Sequence, residues 1–99
     1  MHPSRCTAPH EVQQLTELPN VGPALAGYLR HIGIVDPQDL KGADPYALYH
    51  ELCVLDATRY DPCVLDTFIS IVRFMDGHGA RPWWAYTMER KARLTDLSP

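Results

Sequence analysis

Nine prolines in 99 residues constrain this chain more than any other feature. Proline has no amide donor and holds φ at about −65°, so it breaks helices and central strands wherever it falls inside them. Here the neighbours turn the prolines into starts. Asp36-Pro37, Asp44-Pro45 and Asp61-Pro62 repeat one device. The aspartate accepts hydrogen bonds from first-turn amides, and proline takes the first helical position, where a missing N–H costs nothing. Pro23 and Pro82 suit that position too, so five of the nine prolines begin helices.

Between these starts the sequence predicts short helices over residues 10–18, 23–32, 37–41, 45–55, 62–76 and 83–93. Gly33 is placed to cap the second, and Gly77 and Gly79 close the fifth. The fifth carries the core: Leu65, Phe68, Ile69, Val72 and Met75 recur at helical spacing. Val64, Ile71 and Phe74 widen that face and leave Asp66, Ser70 and Arg73 as a narrow polar stripe. Leu48, Tyr49, Leu52 and Cys53 of the fourth helix supply a matching surface. No stretch alternates as a strand does. The expected architecture is all-α, a compact single-domain bundle of five to six short helices. Residues 1–9 are expected as a flexible lead-in, 10–93 as the domain and 94–99 as a tail.

Composition narrows the class. An apolar share of 45% and a charged share of 21% exclude a disordered chain, a fibrous repeat and a coiled coil. No apolar run reaches the roughly 18 residues of a membrane span, and residues 1–6 lack the apolar stretch of a secretory signal. Three cysteines, an odd number without dense spacing, fit a reduced compartment. A cytoplasmic protein is expected.

The net charge of −3 is unevenly spread. Residues 1–80 carry five basic against ten acidic side chains, whereas residues 81–99 carry four against two. Affinity for nucleic acid comes mainly from neutralising phosphates, so the acidic body argues against tight, non-specific DNA binding.

One segment argues the other way. Leu18-Pro19-Asn20-Val21-Gly22-Pro23-Ala24 joins two expected helices through a tight turn, with Ala26 and Gly33-Ile34 beyond. It resembles a helix-hairpin-helix motif, whose usual pattern is apolar residue, Pro-Gly-apolar-Gly, a small residue, then Gly-Ile. Asn20 and Gly22 are types that tolerate positive φ. Val21 plugs the gap between the helices, and the amides of Val21, Gly22 and Ala24 are expected to point outward. Free N–H groups at the positive end of a helix dipole suit a phosphate. Two departures stand out: Asn20 replaces the usual first glycine, and Ala24 stands where DNA-binding members often carry Lys or Arg. Arg30 and Lys41 are the candidate compensating charges. The plain alternative is a hairpin that only packs, or that docks a protein.

Beyond the hairpin the chain is similar to a small bacterial family, the pathogenicity-locus proteins, whose members are often labelled mitomycin resistance proteins. The residues that carry this are Leu18 to Pro23, Gly33-Ile34, Asp39-Leu40-Lys41-Gly42, Asp44-Pro45, Leu48-Tyr49, Leu52-Cys53, Asp61-Pro62-Cys63-Val64-Leu65 and Trp83-Trp84. A weaker similarity runs to the C-terminal domain of TfoX-type competence regulators. The resemblance implies a DNA-associated or regulatory cytosolic protein with no established chemistry.

Other candidates are weighed against ordinary roles. Cys63 lies at a helix start, which lowers a thiol pKa, while Asp61 works the other way. With Cys53 it forms a possible redox or metal pair; the alternative is that both are small apolar residues. No zinc-ligand spacing accompanies them, and no metal or other cofactor is expected. The five histidines are scattered, and of these His31 sits at a helix end beside Arg30. Trp83, Trp84, Arg90, Lys91 and Arg93 either stack on bases and hold phosphates, or pack and solvate the last helix. No nucleophile–base pair is visible, so an enzyme is not expected. Two functions remain: weak sequence-independent DNA binding through the hairpin amides, and a protein-interaction adaptor, as monomer or homodimer.

Overall fold

The computed structural model describes residues 1–97, with side chains through residue 93. All regular structure among these residues is helical. Four α-helices are present: α1 (Pro23–His31), α2 (Pro45–Leu55), α3 (Pro62–Met75) and α4 (Thr87–Leu97). Five 3-10 turns fill the gaps, at Pro3–Arg5, Pro9–Glu11, Leu15–Glu17, Pro37–Leu40 and Trp83–Tyr86. Four helices and five turns replace the five to six helices expected.

The Asp-Pro device operates at all three sites. Asp36, Asp44 and Asp61 each accept from the amide two residues on, at 2.9 Å, with proline at the first helical position. Gly33 and Gly77 take left-handed φ values of 89° and 95° and close α1 and α3. In each case the following amide reaches back five residues, from Ile34 to Leu29 O and from His78 to Arg73 O.

Residues 10–18 do not form the expected helix. Side chains capture the backbone groups that a helix needs. Glu17 Oε1 accepts from the amides of Gln13 and Gln14, and the Gln38 amide donates to the carbonyls of Pro9 and Val12. Leu18, held extended before Pro19, ends the segment. Val12, Leu15 and Leu18 are all buried, and their spacing of three suits 3-10 turns.

α3 is the axis of the molecule. Eleven of its fourteen residues are buried, so it is enclosed on nearly every side. Phe68, Ile71, Val72 and Met75 join the main core with Val12, Leu15, Leu18, Leu29 and Leu52, while Leu65 and Ile69 meet Tyr86 in a second cluster. The narrow polar stripe is largely covered as well. Asp66 and Ser70 are both 0% exposed, because the segment 81–93 lies across them.

That segment is held by paired charges. Arg90 Nε and a terminal nitrogen meet the two Asp66 oxygens at 2.9 and 3.3 Å, and the Thr87 hydroxyl donates to Oδ2 at 2.8 Å. Arg73 pairs with Glu89 at 2.8 Å, and the Arg93 guanidinium lies 4.8 Å over the Tyr46 ring. No buried side-chain polar atom among the described residues lacks a partner. The expected helix 83–93 is thus a 3-10 turn running into α4, whose backbone continues to Leu97. Of the expected tail, residues 98 and 99 lie outside the described residues.

Candidate functional site

The turn before α1 is built from residues 18–22. Asn20 adopts φ 67°, the left-handed conformation that asparagine tolerates better than most residues. Its side-chain amide donates to Ser70 Oγ at 2.9 Å and to Arg81 O at 2.8 Å. A glycine has the same conformational freedom but no such tether. Gly22 is different from the expectation: at φ −99° its backbone is ordinary, and a Cβ built there meets nothing within 4 Å.

Three amides were expected to face outward, and the geometry alters the set. Val21 is buried, and its N–H donates to Leu18 O at 3.3 Å. Asn20 N–H donates to Met1 O at 2.7 Å, and the Met1 ammonium answers with bonds to Leu18 O and Val21 O at 3.0 and 2.8 Å. The amides of Gly22, Ala24 and Leu25 have no acceptor among the described residues. All three sit at the positive end of α1, so this is where an anion gains most.

Gly22 opens on a groove of about 770 Å³ between residues 1–4, the turn and residues 80–84. Trp83 and Trp84 form one wall, edge to face with ring centroids 5.7 Å apart. Trp83 is half-buried, whereas Trp84 is 63% exposed. The groove lining holds no carboxylate among the described residues. Arg5 lines an adjoining hollow that shares Met1, His2 and Ser4 with the groove, and exposed Arg81 lies between groove residues Ala80 and Pro82.

The charges singled out in the sequence go elsewhere. Arg30 is exposed in the last turn of α1, about 12 Å along the axis from Gly22 at a rise of ~1.5 Å per residue. Lys41 borders a separate hollow beside Asp76 at the end of α3. Arg90 and Arg93 are engaged within the fold. Sequence reasoning missed Arg5 and Arg81, whose position depends on where two distant segments meet. Asn20, Gly22, Trp83 and Trp84 were legible signals.

Cys53 and Cys63 are both free and partly buried. Burial, followed by the Asp61 carboxylate, pushes the Cys63 thiol up, so the helix start does not activate it. Burial likewise raises Tyr49, to about 12. No three His, Cys, Asp or Glu side chains among the described residues form a group able to hold a metal. His31 Nε2 meets Asp56 Oδ1 at 2.7 Å while the Tyr60 hydroxyl donates to the other oxygen, clasping α1 to the end of α2.

These features define a small all-helical domain with a buried central helix, a donor-rich turn and an aromatic groove beside it. The chain belongs to the pathogenicity-locus family: residues 8–92 match the family described as Cdd1, pathogenicity locus. It is 46% identical over 80 residues to the mitomycin resistance protein McrB of Streptomyces lavendulae, covering 81% of this chain and 76% of that protein. No solved structure matches. No helix among the described residues is long and apolar enough to cross a membrane.

Proposed function

We propose that this chain is a nucleic-acid-binding module of the cytoplasm, not an enzyme, and that its turn acts as a helix-hairpin-helix hairpin in which the 3-10 turn Leu15–Glu17 stands in place of the first helix. It holds backbone phosphate through amide donors without reading sequence. The observation that carries the reading is the set of N–H groups at Gly22, Ala24 and Leu25 without an acceptor among the described residues, with no Cβ above Gly22. One turn offers few phosphate contacts, so binding is weak and salt-sensitive, as a monomer or as a homodimer that doubles the contacts. A role in mitomycin resistance, the property in the relative's name, belongs to the same proposal.

The test is a fluorescence-anisotropy titration with labelled DNA at low and physiological salt, comparing the native chain with Gly22→Asp. Aspartate is a better N-cap than glycine by a few tenths of a kcal/mol, about 0.3, so α1 is kept. Its carboxylate occupies the place of the phosphate. Saturable binding that fades with salt and falls at least ~10-fold in the variant supports the reading. Flat curves from folded protein overturn it. The second reading, a protein-docking adaptor, then leads; exposed Val54 and Leu55 at the end of α2 favour it.

A further inference from the structure

We propose that the groove beside Gly22 takes an unpaired nucleobase, stacked on Trp84, so that the protein prefers single-stranded to fully paired nucleic acid. The inference rests on the phosphate-binding reading of the turn and names what that reading leaves open. Three observations carry it. Trp84 is 63% exposed although it packs edge to face against half-buried Trp83. An aromatic face kept in water this way is a platform for a flat partner. The groove of about 770 Å³ has room for a nucleoside between Trp84 and the turn.

Charge selects the class of partner. The chain is acidic overall at −3, yet the groove lining has no carboxylate among the described residues, while Arg5 lines the adjoining hollow and Arg81 lies between lining residues Ala80 and Pro82 in the chain. His2 and the Gly22 amide add donors to the same lining. An apolar protein segment gains nothing from those donors and cations; a base with its attached phosphate uses both. Inside a paired duplex the base faces are stacked on one another, so only an unpaired base presents one to Trp84.

The experiment compares three labelled probes of equal length: a thymidine oligonucleotide, an abasic deoxyribose-phosphate strand and a hairpin-closed duplex without unpaired bases. Each is titrated against the native chain, Trp84→Ala and Trp84→Phe, with tryptophan fluorescence recorded in parallel. Exposure of Trp84 makes both substitutions compatible with the fold, which circular dichroism checks. The expected result is that the thymidine strand binds about 10-fold tighter than the abasic strand and quenches tryptophan emission. Trp84→Ala abolishes that difference, Trp84→Phe keeps most of it, and affinity for the abasic strand is unchanged in both. Equal binding of the thymidine and abasic strands overturns the base-stacking groove and leaves the phosphate reading standing. No binding of any probe overturns both.

Discussion

The arm of residues 81–93 and the turn of residues 18–25 both rest against α3, and both are rich in polar groups. They treat those groups in opposite ways. Between the arm and α3, Arg90 and Thr87 pair with Asp66, and Glu89 pairs with Arg73. At the turn, three amides at the positive end of α1 have no acceptor among the described residues. A region whose donors and acceptors close on one another is structural. A region that leaves donors unpaired at a helix start, beside an open aromatic groove, has capacity for a ligand. Asn20 joins the two, with its backbone in the turn and its side chain on Ser70 and the arm.

The contrast is sharpest at Arg90. Asp66 is 0% exposed and Arg90 is the cation it meets, with 14% of its side chain exposed. Arg90→Met leaves a buried carboxylate with the Thr87 hydroxyl but without its cation, which costs about 3–5 kcal/mol. A large drop in the urea midpoint is expected, with DNA affinity of the folded fraction unchanged. Lost affinity at intact stability would make Arg90 a phosphate contact after all and break the comparison.

Asn20 separates conformation from tether. Asn20→Ala loses both, and its cost is about 2 kcal/mol from the left-handed φ and the lost hydrogen bonds. Asn20→Gly keeps the backbone and loses only the tether, for about 1 kcal/mol. Thermal unfolding of the pair checks the order. Equal losses would mean that the side chain contributes nothing to joining turn and arm.

Titration has a smaller effect, outside both regions. Hydrogen bonds from Tyr60 and His31 hold the Asp56 carboxyl below its usual 3.8, and the Cys63 amide does the same for Asp61. A lowered carboxyl pKa contributes stability that is present above pH 3.8 and lost as pH falls through the lowered values. At the other end, Tyr60 is pushed up to about 12 by Asp56, so its contribution holds below pH 10 and fades as pH rises through about 12. Circular dichroism across both windows reads the loss, and Asp61→Ala flattens part of the acid limb. The smallest effect belongs to Glu89→Gln, which breaks a half-exposed pair with Arg73 and costs at most about 1 kcal/mol.

Local chemistry was legible in the chain. An Asp-Pro pair carries its own cap and its own first residue, so the starts at Pro37, Pro45 and Pro62 need no tertiary help. The glycines at 33 and 77 are similarly self-contained. The period of α3 identified the core for the same reason, since helical spacing is read along one segment. The residues 10–18 were not legible, because Gln38 completes the hydrogen bonding of this segment from 26 or more positions away.

The site divides along the same line. The sequence by itself determined the turn, the free amides of Gly22 and Ala24 and the tryptophan pair, since each depends on adjacent residues, whereas the structure removed Val21 from the donor set and added Leu25. Only the tertiary structure decided that Arg30 and Lys41 lie away from the turn, that Arg5 and Arg81 border it, and that Asp66 is buried against Arg90. These outcomes are set by which surfaces α3 must cover. A polar stripe on an isolated helix has no mark that tells solvent from a paired neighbour, and the partner that decides it is folded in from elsewhere in the chain.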